Sequence, residues 1–107
     1  MSGPAEVPAP LRVLIADDND LLRAGLVTVL SSDPGIRVCG EAADGPGAVR
    51  LAVRTQPQVV LMDIEMPGGD GITATRELVR NLPDTRVLVL TMFDLDDYIV
   101  EARRASC

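Results

Sequence analysis

Four polar residues stand where apolar runs end, and they concentrate the chemistry this chain can offer. The run "LRVLIA" (Leu11–Ala16) stops on Asp17 and Asp18, "QVVLMDI" delivers Asp63, and "TRVLVLTM" contains Thr91. The chain has no His and no Lys, so all ten of its basic residues are Arg. That excludes Ser-His-Asp catalysis, His-ligated zinc, a Walker lysine and a Schiff-base lysine. Cys39 and Cys107 form no metal or redox motif; Cys39 reads as a packed core thiol, and Cys107 is open to adventitious oxidation between molecules. What is left is carboxylate, hydroxyl and backbone-amide chemistry, with or without a hard cation. Each acid taken alone is equally a helix cap or a solvated charge, and Thr91 alone is an ordinary β-branched strand residue.

The elements that must position these residues follow from periodicity. Leu11–Ala16 reads as a buried strand, and Leu22, Leu26, Val29 and Leu30 recur at helical spacing after it. Asp20 is expected to cap that first helix, and "SSDPG" to end it. "IRVCGEA" alternates as a second strand. "DGPGAVRLAVRTQP" predicts a helix from about Pro46 to Thr55, capped by Asp44, with Ala48, Leu51 and Ala52 on one face. "QVVLMDI" is a third strand, "DGITATRELVRNLP" a third helix with Asp70 at its cap, "TRVLVLTM" a fourth strand and "DLDDYIVEARRA" a fourth helix. The last is acidic in its first turn and basic in its last, as the helix dipole favours.

The order βαβαβαβα argues for a doubly wound α/β domain, a parallel sheet covered on both faces. Sites in such folds gather at the carboxyl ends of the strands. Asp17, Asp18, Asp63 and Thr91 all lie there, contributed by three strands. Three acids brought together repel one another, and with no His or Lys available a hard divalent ion is the natural partner; Mg²⁺ suits carboxylate and carbonyl oxygen. Such an ion also offsets charge on an incoming phosphoryl group, which makes Asp63 a candidate nucleophile and Thr91 a candidate partner for a phosphoryl oxygen.

Bulk composition narrows the class. At 107 residues and 47% hydrophobic, the chain suits one folded domain with one core. Aromatics are limited to Phe93 and Tyr98, so that core must be aliphatic. Residues 1–10 carry three prolines and read as a flexible tail without the pattern of a signal peptide. No apolar run approaches the ~18–20 residues that span a bilayer, and a cytoplasmic location with no membrane partner is expected. A net charge of −6 argues against direct nucleic-acid binding.

At "VLIADDND", "LMDIEMPGGDG" and "VLVLTMFDLDDYI", over about Leu11 to Ala105, the chain resembles the receiver domain of bacterial two-component response regulators, most like the NarL/FixJ subfamily. The spacing from Asp63 to Thr91 fits as well. The resemblance implies a flavodoxin-like receiver fold. Asp63 is then the phospho-acceptor of a sensor histidine kinase, and Asp17 and Asp18 hold Mg²⁺ together with Asp63 and the backbone carbonyl of Glu65. Thr91 is the switch hydroxyl. The Glu65 side chain is either a surface carboxylate or an influence on hydrolysis. The output implied is a C-terminal helix-turn-helix DNA-binding domain, absent from this sequence.

Departures from the pattern accompany the match. The family has five βα units, and this sequence stops after the fourth helix, so residues 11–107 are expected to form a receiver lacking its last βα unit. The fifth strand carries a lysine that pairs with the aspartyl phosphate, and no Lys exists here. The end "EARRASC" stands where the subfamily reads something like "EALRAGA". An uncovered sheet edge and an uncovered first helix are expected to promote self-association, as a dimer or higher oligomer, with exchange of a strand or helix as one route. Two further readings remain at this level. One is a degenerate receiver that folds or dimerises without efficient phosphorylation. The other is a phosphatase-like hydrolase with an aspartyl nucleophile, for which Glu65 supplies the second acid but the lysine and a cap are missing.

Overall fold

The computed structural model of the chain describes residues 9–66 and 70–90. Within them run β1 (Leu11–Ala16), α1 (Asp20–Ser31), β2 (Ile36–Ala42), α2 (Gly45–Thr55), β3 (Val59–Asp63), α3 (Asp70–Asn81) and β4 (Arg86–Leu90). The fourth helix, most of the proline-rich tail, Thr91 and Cys107 lie outside the described residues.

The four strands form one parallel sheet in the order β2-β1-β3-β4. Chain order reverses between β1 and β3, so their carboxyl ends flank a topological switch point. Leu14 of β1 pairs with Val60 and Ala16 with Met62, while Asp63 pairs with Leu90 of β4. Between β1 and β2 the register slips: Val13 pairs with Val38 but Leu14 with Gly40, which leaves Cys39 as the extra residue of a bulge. Cys39 is a free thiol packed against the core.

Alternation along the strands sorts the two faces. Leu14, Ala16, Val60, Met62 and Val87 join Ala48 and Ala52 of α2 and Ala74 and Leu78 of α3 in one cluster. The fully buried Leu14, Val60, Met62 and Leu78 each contribute about 1.5–3 kcal/mol by leaving water. Small residues let α2 sit close to the sheet: a methyl group at Gly40 would lie 2.6 Å from Leu51 Cδ2. Val13 and Ile15 point to the opposite face, which α1 covers. Helices therefore lie on both sides, as the βα alternation predicts, and the described core contains no aromatic side chain.

Two expectations for α1 need correction. Its cap is Asn19, whose side chain accepts the Leu22 N–H at 2.9 Å; Asp20 is already the first helical residue. Asn19 wins because the chain leaves extended geometry there (φ −85°, ψ 108°), and Asp20 is left free to pair with Arg23. The inward stripe is also displaced. Val29 is 67% exposed and Leu22 43%, whereas Arg23, Leu26, Val27 and Leu30 are half-buried, and no residue of α1 is fully buried. Asp44 does cap α2, accepting the Gly47 N–H at 2.6 Å. Asp70 is the first residue of α3 and not the one before it.

At the amino edge of the sheet the end of α2 is tied to β1. Gln56 turns the chain with a left-handed φ of 49° just before Pro57. The Arg12 guanidinium donates to the Gln56 carbonyl at 2.7 Å and to the Thr55 carbonyl. Arg12 thus satisfies two carbonyls that the helix end leaves open and places a cation at the negative pole of α2. Arg12→Ala is expected to lower stability by about 1–2 kcal/mol in urea denaturation, with no change in the m value.

Candidate metal centre at the strand ends

The switch point brings together three of the residues expected to act together. Oxygens of the Asp17, Asp18 and Asp63 carboxylates lie within 4.8 Å of one another. The β1–β3 register accounts for this: Ala16 pairs with Met62, so the next residue on each strand carries its acid into the same place. Asp18 is exposed and Asp63 half-buried, but Asp17 is only 1% exposed. A buried carboxylate needs compensation. Asp17 accepts the Asn19 N–H at 2.8 Å, and among the described residues no guanidinium pairs with its carboxylate. Three carboxylates, one of them buried without a cation, fit a hard divalent ion, with waters completing its coordination.

Asp63 is held by its own turn. Its Oδ1 accepts the Glu65 N–H at 2.9 Å, which fixes the plane of the carboxylate. Burial is the largest influence on its acidity and raises its pKa above the ordinary 3.8; the Glu65 N–H opposes this, and the neighbouring Asp17 and Asp18 raise it further. Glu65 itself sits exposed in the turn after β3. Thr91 follows Leu90, the strand partner of Asp63, and lies outside the described residues.

Behind the Asp63 turn, α3 approaches closely. A methyl group on Gly71 would lie 2.5 Å from the Asp63 carbonyl oxygen and 2.7 Å from the Ile64 Cα, both of them backbone atoms that cannot swing aside. The glycine is what allows the first turn of α3 to press against the peptide that carries the acid. Thr75, buried one turn later, satisfies its hydroxyl on the Gly71 carbonyl at 2.7 Å.

Sequence reasoning missed Arg23. Its guanidinium reaches Asp20 Oδ1 at 2.7 Å and Glu41 Oε1 at 3.3 Å, and it donates to the main-chain carbonyl of Asp17 at 2.5 Å. The signal was its helical spacing with Leu26, Val27 and Leu30, which puts a cation on the inward stripe.

Two outcomes are expected. Gly71→Ala should destabilise the protein by about 1–3 kcal/mol through overpacking, although the same change in an open helix would stabilise it; chemical denaturation gives the sign. The raised pKa of Asp63 means the folded protein keeps this proton over a range where the unfolded chain has released it. Stability from this group is therefore lost as pH rises through that range. Asp63→Asn should accordingly raise Tm in chelator at neutral pH, and the difference should vanish below the ordinary value of 3.8; thermal denaturation across pH tests it.

Comparison with known proteins agrees with this architecture. The model of the response regulator receiver domain family matches residues 13–107. The chain is 48% identical over 89 residues to the transcriptional regulatory protein LiaR of Bacillus subtilis, covering 83% of this chain and 42% of LiaR. It thus spans less than half the length of that relative. The receiver domain of the response regulator NarL from Mycobacterium tuberculosis superposes with a TM-score of 0.82 at 35% identity, covering 94% of this chain and 81% of that one. A chain of the CheX–CheY–BeF₃–Mg²⁺ complex from Borrelia burgdorferi superposes with a TM-score of 0.82 at 25% identity, covering 97% of this chain and 81% of that one. The chain belongs to the response regulator receiver domain family, with NarL- and LuxR-type regulators among its relatives.

Proposed function

We propose that this receiver accepts a phosphoryl group from a histidine kinase on Asp63, with Mg²⁺ held by Asp17, Asp18, Asp63 and the Glu65 carbonyl. The observation that carries the reading is the convergence of three carboxylates within 4.8 Å, with Asp17 almost fully buried beside its neighbours. The BeF₃ and Mg²⁺ in the similar CheY complex support it. When bound, Mg²⁺ supplies positive charge that offsets the acids and the incoming phosphoryl oxygens.

The residues of the chain do the rest. The Glu65 N–H holds Asp63 Oδ1 and so limits rotation of the carboxylate that attacks the donor. As the new O–P bond forms, the P–N bond of the donor phosphoimidazole breaks, and its electron pair stays on the imidazole nitrogen, which takes a proton. Asp63 rests on a strand end backed by α3, so the attacking oxygen meets the phosphorus with little reorganisation. Thr91, next along the chain from Leu90, is the hydroxyl that answers the new phosphoryl group. In a longer protein built like LiaR the change would pass to a DNA-binding output domain, and the reaction would take place in the cytoplasm.

Intact mass after incubation with acetyl phosphate and Mg²⁺ tests the proposal. One phosphoryl adduct is expected, absent from Asp63→Asn and absent when the metal is chelated. A folded chain that gains no adduct, or one that gains it equally after Asp63→Asn, overturns the assignment.

A further inference from the structure

We infer that Arg23 is a positioning residue for the metal centre: its guanidinium sets the peptide plane that joins Asp17 to Asp18. The inference rests on the metal-centre reading above. Asp17 and Asp18 are adjacent, so one peptide unit decides whether both carboxylates can face a common ion. The carbonyl of that unit, Asp17 O, accepts from Arg23 Nη1 at 2.5 Å. The N–H at the other side of Asp17 donates to the Ala42 carbonyl at 3.0 Å. The Asp17 carboxylate accepts the Asn19 N–H at 2.8 Å. The residue is therefore fixed at three points, and among the described residues only the Arg23 bond holds the peptide leading to Asp18.

Arg23 is itself held rigidly. Its side chain is 16% exposed, with Nη2 on Asp20 Oδ1 at 2.7 Å and Nε on Glu41 Oε1 at 3.3 Å. Its backbone N–H donates to the Asn19 carbonyl at 2.9 Å in the first turn of α1. The fork thereby joins the end of β1, the start of α1 and the end of β2. A lysine ammonium has the charge but not the planar fork that serves three acceptors in fixed directions. Groups one layer outside a metal site set the orientation of its ligands.

The sign of the effect separates positioning from charge. A cation near the site repels a second cation, so removing it should tighten Mg²⁺ binding if charge alone matters. Positioning requires the opposite. The experiment is an NMR titration of the full chain with MgCl₂ at constant ionic strength for wild type, Arg23→Met and Arg23→Lys. Amide hydrogen exchange is measured alongside on the metal-free proteins. Both variants are expected to bind Mg²⁺ more weakly, by roughly tenfold. Exchange should quicken at Asn19 and Asp17 while Ile15 and Leu61 in the sheet interior keep their protection. Unchanged or tighter binding by both variants, or uniformly faster exchange, overturns the inference and leaves the metal centre standing. A folded wild type that binds no Mg²⁺ overturns both. If Arg23→Met does not fold, Arg23→Lys decides by the same criteria.

Discussion

Repulsion between carboxylates is the constraint around which this structure is arranged. Two unit charges at the separations seen among Asp17, Asp18 and Asp63 repel by about 3–4 kcal/mol at an effective dielectric of about 20. Left to themselves such side chains would turn away from one another. They converge because two of them are fixed by their own backbone: Asp17 by its N–H on Ala42 and the Asn19 N–H, Asp63 by the β3–β4 register and the Glu65 N–H. The aliphatic cluster beneath, from Leu14 and Ala16 to Val60 and Met62, holds the two strand ends in place against that repulsion. Burial stability from the sheet is thus spent on keeping a charged site assembled, and a bound cation would return part of it.

The same constraint explains the local choices near the site. Gly71 lies where α3 meets the Asp63 peptide because any side chain would collide with backbone there. Asn19 caps α1 and so leaves Asp20 for Arg23, whose fork also takes the carbonyl of Asp17. The small residues of α2, Ala48 and Ala52, allow a tight layer over Leu14 and Val60. These are three separate sequence features serving one geometric requirement.

Much of this was legible from residue order. Apolar runs of branched residues ended on acids, and a parallel doubly wound sheet then required those acids to share one edge. Strands β1 and β2 run over the residues their patterns indicate. Two details of α1 were not legible. Asn19 and Asp20 are both good caps, and only the backbone angles at Asn19 decide between them. The stripe of α1 was read from its leucines, but a helix this exposed is oriented by the fork of Arg23 as much as by apolar burial. Arg23 was therefore passed over, although it is an inward anchor. The close approach of Gly71 to the nearby Asp63–Ile64 backbone depends on three-dimensional placement that residue order alone does not give.

The aliphatic character of the core has an optical consequence. The chain contains one Tyr, one Phe and no Trp, and both aromatics fall at positions 93 and 98, within ten residues of Leu90. The core built by the described residues is therefore silent in near-ultraviolet absorption, circular dichroism and intrinsic fluorescence. Amide signals report directly on the melting of that core. Any tyrosine emission change on adding an ion or a phosphodonor would come from Tyr98 alone, so the wild-type sequence already carries a single-site reporter on the segment that continues from β4.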